Sequence, residues 1–172
     1  MNKLKIVGLV VLFGLGTFLA CEKDDICVDD DTPQLVIRFY DAENPTDFKV
    51  VPGLRVIGVG NGEPVDTFSD RISTLDSIAI PLKANETSTQ FSFIRDSADD
   101  DDGVETGNTN QIQFLYTRIE IFTSRACGFI VNYDDVTTDF TSAPGSWIQS
   151  IEIIKPSVTI EEEVTAHVKI FH

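Results

Sequence analysis

The sequence has few of the residue types on which enzymes and metal-binding proteins depend. Only two histidines, His167 and His172, and three cysteines occur among its 172 residues. The histidines show no metal-ligand spacing, and their positions on a polar strand face and at the C-terminus predict that both are solvated. The chain also lacks a Gly-x-Ser-x-Gly nucleophile elbow, and residues 58–62 lack the lysine of a P-loop. We therefore expect no catalytic residue, no resident cofactor and no enzymatic activity.

Basic residues are scarce as well. The chain has 13 Lys and Arg against 28 Asp and Glu, which gives a formal net charge of −15 at pH 7. A chain this acidic repels the phosphates of nucleic acids and of anionic lipids, so both are excluded as partners. The same charge attracts divalent cations, and the densest acidic segment therefore has to be tested as a calcium site.

That segment, residues 96–104, does not match an EF-hand. Placing Gly103 at the sixth position of the loop puts Ala98 and Thr109 where acidic ligands are required. We favour a mobile acidic loop between two strands, because its carboxylates repel one another too strongly to pack. A calcium site of another kind is the alternative, and it would use four consecutive carboxylates: Asp99, Asp100, Asp101 and Asp102.

The apolar segment near the N-terminus is too short to span a membrane as a helix. It runs from Ile6 to Leu19 and is interrupted by glycines, whereas a spanning helix needs about 20 consecutive apolar residues. Lys3 and Lys5 precede it, which is the layout of a secretory signal peptide. We assign residues 1–20 to this signal.

The end of that segment resembles a bacterial lipobox. Residues 18–21 read Phe-Leu-Ala-Cys, with phenylalanine where leucine is usual. The resemblance implies that Cys21 is lipidated and becomes the new N-terminus, so the outer membrane is the expected location. The next residues resemble the signal that sends Bacteroidota lipoproteins to the cell surface, with a solvated tether and a periplasm-facing protein as the alternative: Glu22, Lys23, Asp24 and Asp25.

Lipidation of Cys21 would leave an even pair of cysteines, Cys27 and Cys127. In an exported chain such a pair favours a disulfide, and two buried thiols are the alternative. A bridge that closes a loop of about 100 residues stabilises by up to ~4.7 kcal/mol in the chain-entropy model.

The remainder of the chain is a series of strand-like runs separated by Gly, Pro and Asn turns, and none has helical spacing. The pattern predicts an all-β fold, an antiparallel β-sandwich of about eight strands, immunoglobulin-like or similar, with a small β-barrel as the alternative. Residues 21–33 form the lipidated cysteine and an acidic tether, and residues 34–172 form one domain that buries Trp147. The predicted strands are 34–40, 54–59, 77–82, 89–94, 111–123, 127–132, 147–154 and 164–171.

Two serines lie in short motifs that resemble the Asp-Ser-apolar acceptor of Bacteroidota O-glycosylation. They are Ser77 and Ser97, and the second is placed in a loop. We carry both as candidate glycosylation sites.

Three segments together, residues 21–27, 32–41 and 166–172, resemble an uncharacterised family of Bacteroidota outer-membrane lipoproteins. The resemblance implies an exported, lipid-anchored β-domain and supplies no activity. We expect a non-enzymatic domain that binds a partner protein or glycan. One alternative is an assembly accessory of an envelope complex, which predicts an exposed apolar patch or an unpaired edge strand. The other is a surface polysaccharide hydrolase, which predicts a deep cleft lined by two carboxylates.

Overall fold

The computed structural model describes residues 32–160 and 166–172. The predictions for Cys21, for residues 22–25 and for Cys27 lie outside these ranges. No helix that could span a membrane occurs within them. The described residues contain eight strands: β1 Gln34–Tyr40, β2 Arg55–Gly58, β3 Ser77–Pro81, β4 Ser88–Arg95, β5 Asn108–Ser124, β6 Gly128–Asp139, β7 Ser150–Ile153 and β8 Val168–Phe171.

The strands form two four-stranded sheets, in the orders β3-β1-β8-β7 and β2-β4-β5-β6. The predicted all-β sandwich of eight strands is confirmed, and the small-barrel alternative is not, because the described strands do not close into one sheet. One feature differs from the prediction of purely antiparallel pairing: β1 and β8 are parallel, with Ile37 opposite Val168. Alternation along a strand reports which face is buried and carries no information on strand direction.

The core lies between the two sheets and is built from alternate residues of each strand. Leu35, Ile37 and Phe39 of β1 are fully buried, and Phe93 of β4 faces them from the other sheet. Trp147 is 4% exposed, as predicted, and its indole Nε1 donates a hydrogen bond to the Phe93 carbonyl at 3.3 Å. The buried donor therefore has a partner.

Candidate functional site

A cleft of about 580 Å³ lies at the ends of β2 and β3, which are edge strands of different sheets, and at the start of β4. The chain forms one wall by turning back sharply after β2, and Gly62 adopts a φ of 76° there. Ile57 and Pro64 form an antiparallel bridge that holds this return. The lining consists of residues 58–61, 63–66, 81–83 and 89–91.

The cleft combines an apolar floor with polar walls. Leu82 and Phe91 are buried beneath it, while Asn61 and Glu63 are exposed on its rim. Ligand pockets commonly have volumes of about 300–1,000 Å³ and use a few polar groups to fix orientation. The size and lining therefore suit a small polar ligand.

Two carboxylates, Glu63 and Asp66, line the cleft. Both are exposed and both belong to the same loop. A glycosidase keeps its acid protonated by placing one carboxyl in an apolar environment, which neither residue has here. The hydrolase alternative stays a prediction without support from these two residues.

A buried cluster of hydroxyl groups connects the cleft to the long hairpin of β5 and β6. The Tyr116 hydroxyl lies 2.6 Å from Thr89 Oγ1 and donates to the Lys83 carbonyl at 3.0 Å. The Tyr133 hydroxyl donates to the Leu82 carbonyl at 3.0 Å. Burial raises the pKa of Tyr133 to about 12. These bonds fix the end of β3, which forms part of the cleft, to the base of the hairpin.

The outer part of that hairpin extends beyond its sheet, and we call residues 117–133 the arm. β4 pairs with β5 only from Asn108 to Leu115, so none of the described strands pairs with the outer edge of β5 along the arm. The opposite edge, on β6, is contacted at its base, where Tyr133 bridges Val158. Within the described residues, the arm is thus a two-stranded ribbon with open edges.

Large apolar side chains are exposed along the arm. Phe122 is 57% exposed and Phe129 is 65% exposed, and the two rings meet edge to face with centroids 5.4 Å apart. Ile119 and Ile121 point from the other face and are also exposed. The exposed patch and the open edges, both seen in the described part of the chain, are the features that the assembly-accessory alternative predicts.

The acidic loop between β4 and β5, residues 96–107, packs against two arginines, and the prediction that it would be too repulsive to pack is wrong. Asp99 pairs with Arg71 Nη2 at 2.5 Å, and Glu105 pairs with Arg55 Nη1 at 3.2 Å. Asp100 accepts a hydrogen bond from the Val104 amide at 2.8 Å. The two arginines come from distant parts of the chain and offset the repulsion among the carboxylates.

Glu105 is the centre of this loop. Burial raises the pKa of Glu105, but hydrogen bonds from the Ser97 hydroxyl, the Gly107 amide and other donors outweigh burial and lower it to about 2. Glu105 therefore remains ionised across the neutral range and accepts these bonds as a carboxylate.

We expect Glu105→Gln to destabilise the protein by about 1–2 kcal/mol, because the amide accepts fewer hydrogen bonds and carries no charge opposite Arg55. Asp102→Asn removes an exposed carboxylate of the same loop and should cost less than about 0.5 kcal/mol. Urea unfolding at pH 7 gives both values. Equal effects of the two substitutions would contradict the central role of Glu105.

Asp99, Asp100, Asp101 and Asp102, the residues of the calcium alternative, do not converge on one point. Among the described residues no group of three or more His, Cys, Asp or Glu side chains is arranged to hold a metal ion. Asp99 is directed at Arg71, and Asp100 binds backbone amides. The calcium alternative therefore has no support in the geometry of this loop.

Both histidines are buried, so the prediction that they are solvated is wrong. His167 is 3% exposed, and its Nδ1 accepts a hydrogen bond from the Val36 amide at 3.0 Å. His172 is 6% exposed and packs edge to face against Phe39 and Trp147. Burial lowers the pKa of both, that of His167 to about 4.

The two candidate glycosylation serines differ in their surroundings. Ser97 is 8% exposed, and its hydroxyl donates to Glu105 at 2.6 Å and accepts from Arg71 at 3.1 Å. A glycan on Ser97 would remove that donor. Ser77 is half-buried at the start of β3 and donates to the Ile37 carbonyl at 3.3 Å. Modification of either serine stays a prediction, and the geometry at Ser97 is unfavourable to it.

Cys127 lies in the turn at the tip of the arm. Its side chain is half-buried, and its amide donates to Ser124 Oγ at 3.0 Å. The proposed partner, Cys27, is outside the described residues, so the disulfide stays a prediction.

A sequence model described as a family of unknown function (DUF6452) matches residues 53–172. No curated protein matches the chain. No solved structure matches it either.

Proposed function

The chain belongs to the family of unknown function DUF6452. Because that family supplies no activity, we propose a function from the geometry of the described residues. The protein is a lipid-anchored, exported β-domain with a non-enzymatic binding role at the outer membrane. The observation that carries this proposal is the cleft at the ends of β2 and β3, whose polar rim and apolar floor suit a glycan.

The anchor and the surface location come from the sequence. The lipobox-like residues 18–21 support lipidation of Cys21, and the acidic stretch that follows supports export to the cell surface. Several acyl chains hold a soluble domain to a bilayer far more firmly than one. Export to the cell surface would thus bring the cleft among the surface polysaccharides.

The affinity for glycan is measured with the unlipidated chain from residue 22 onward and with fragments of surface polysaccharide from the organism that makes the protein. We expect Asp66→Ala with Lys83→Ala to weaken binding about tenfold, because each removes a polar group from the cleft wall. Asp139→Ala, an exposed carboxylate outside the cleft, is the matched control. Unchanged affinity in the cleft variant would refute the assignment of the cleft.

The disulfide belongs to the same proposal, and chain geometry supports it. Pro33 is buried beside the start of β1, and Cys27 lies six positions before it. Cys127, at the tip of the arm, likewise lies six positions before Tyr133 at its base. An extended segment of six residues spans about 20 Å, so the N-terminal segment is long enough to reach the tip.

We expect a proteolytic digest without reductant to contain one linked pair of peptides, carrying Cys27 and Cys127. Cys27→Ser should lower the free energy of unfolding by about 2–4 kcal/mol, because the unfolded chain gains freedom. Cys21→Ser is the control and should leave the linked pair intact. A link between Cys21 and Cys127 would contradict both the bridge and the lipidation of Cys21.

A second candidate is an accessory of an envelope complex, and the open edges of the arm favour it. A crosslinking pull-down from intact cells distinguishes this role from glycan binding. The full-length lipoprotein should recover one specific envelope protein, and the mislocalised Cys21→Ala form should lose it. Recovery of no specific protein from either form would leave glycan binding as the function.

A further inference from the structure

We propose that the tip of the arm lies in the lipid interface of the membrane that carries the anchor, so that the domain is attached at two points. The inference rests on the proposed function through the lipidated Cys21. It assigns to Phe122 and Phe129 a contact with the boundary between headgroups and acyl chains.

The first argument is the direction of the chain. Gln34, at the start of β1, pairs with Pro81 at the end of β3. The next residue of that segment, Leu82, accepts the hydrogen bond from Tyr133 at the base of the arm. The chain therefore enters the domain at the end of the sandwich from which the arm projects, and the anchor lies upstream of that same end.

The second argument is reach. Cys21 lies eleven positions before Thr32, the first described residue, and a segment of that length spans at most about 36–40 Å. The arm from Thr117 to Ser124 is roughly 23 Å long at 3.3 Å per residue. The tip thus falls within the range of distances from the bilayer that the anchor permits. A bridge between Cys27 and Cys127 would limit the distance from the anchor at Cys21 to the tip of the arm to about 20 Å.

The third argument is the chemistry of the tip. Phe122 and Phe129 are the most exposed aromatic pair in contact within the described chain. Arg125 is exposed in the turn between their strands. An aromatic pair beside a basic residue matches the composition of protein segments that lie in membrane interfaces, where the rings enter the boundary and the charge remains among the headgroups.

The charge of the arm also differs from that of the rest of the molecule. The arm contains Arg118, Arg125 and one acidic residue, Glu120, whereas the whole chain carries a net charge of −15. Two copies of this chain, or a copy and an acidic partner, repel each other through their bodies. A zwitterionic lipid surface offers no such repulsion to the arm.

The backbone of the arm limits how deeply it can enter the membrane. The edges of the ribbon, which no described strand covers along the arm, leave amide and carbonyl groups that hydrocarbon cannot satisfy. The arm therefore enters only to the boundary of headgroups and acyl chains, about 5–10 Å deep, where water still reaches these groups. The two phenylalanines and the ends of their strands account for that depth.

The test uses the lipidated full-length protein in phosphatidylcholine vesicles whose acyl chains carry bromine near the headgroup. Phe122→Trp places a fluorophore at the tip, and Val104→Trp places one on an equally exposed residue of the β4–β5 loop, at the opposite end of β4 from the arm. Trp147 is buried and provides the background, which is measured in the wild type. Retention of the wild type in a detergent phase reports the anchor separately.

We expect the bromines to quench the fluorophore of Phe122→Trp and to leave that of Val104→Trp unchanged. For the unlipidated chain on the same vesicles, Phe122→Ser with Phe129→Ser should reduce binding by roughly tenfold per phenylalanine. Equal quenching at both positions, with the wild type retained in detergent, would overturn the inference and leave the anchor standing. Loss of detergent retention overturns the anchor and the inference together. Protection of the tip by an envelope protein in native membranes would also overturn it.

Discussion

Replacing Gly107 with alanine is expected to destabilise the protein by about 3 kcal/mol or more. A Cβ at this position would lie 2.5 Å from Ile94 Cγ2 and 2.9 Å from both the Arg95 carbonyl oxygen and the Ser97 Cα. Two of these three atoms belong to the backbone, so relief requires β4 or the acidic loop to move. Overpacking of this kind costs about 1–3 kcal/mol and more where the neighbours cannot shift.

A second glycine of the same loop separates steric overlap from backbone conformation. Gly103 has a φ of 78° and open space where a Cβ would stand. Gly103→Ala should therefore cost only the left-handed backbone penalty of about 1–2 kcal/mol. Urea unfolding of both variants at pH 7 gives the comparison. If the Gly107 substitution costs no more than that at Gly103, the close approach between β4 and the loop is not rigid.

The strands were predictable because their runs are strand-like in composition and are separated by turn residues. β4 was predicted at 89–94 and spans Ser88–Arg95, and the runs predicted at 111–123 and 127–132 correspond to β5 and to the first part of β6. The parallel pairing of β1 with β8 was not predictable from that pattern. This pairing arises because β8 lies next to β1 and runs in the same direction. Local periodicity does not specify which strands become neighbours.

The arm was predictable in part. Its strands were expected, and their exposure was not, because an apolar residue in a strand is more often buried than exposed. The missed signal is length: β5 has 17 residues and its neighbour β4 has 8. Among the described strands, none pairs on the β4 side with the part of β5 that follows Leu115. A strand so much longer than the sheet must project from it.

The acidic loop and the histidines were misjudged for a shared reason. The partners that order them are far away in the sequence: Arg55 lies 50 residues from Glu105, and the Val36 amide lies 131 residues from His167. Composition describes what a segment does alone, and these contacts form only after the sheets have packed. The cleft arises in the same way, since its walls come from both sheets.

The second large effect is a loss of stability in mild acid that originates at His167. Its Nδ1 accepts the Val36 amide hydrogen, which requires the neutral ring with its proton on Nε2. Burial holds the pKa of His167 at about 4, below its ordinary value of 6.5. Between those two values the unfolded chain binds a proton that the native protein does not. The free energy of unfolding must therefore fall as the pH drops from 6.5 toward 4.

The gap between the two pKa values corresponds to roughly 3 kcal/mol at 1.36 kcal/mol per pH unit. Burial lowers the pKa of His172 as well, which adds to the loss in the same direction. The stability that Glu105 contributes is lost only at lower pH. Its pKa is about 2 in the folded protein and 4.5 ordinarily, so this loss begins as the pH falls below about 4.5. The interval from pH 6.5 to 4.5 therefore isolates the histidines from the carboxylate at the centre of the acidic loop.

His167→Asn tests this assignment, because an amide oxygen takes the place of Nδ1 as the acceptor for Val36 and does not titrate. Urea unfolding from pH 7.5 to 4.5 should show a flatter dependence on pH for this variant than for the wild type. His172→Gln, the comparison, should retain the part of the slope that belongs to His167. A wild-type slope in His167→Asn would mean that this histidine is protonated in the folded protein, and that the contact with Val36 opens in acid without loss of the fold.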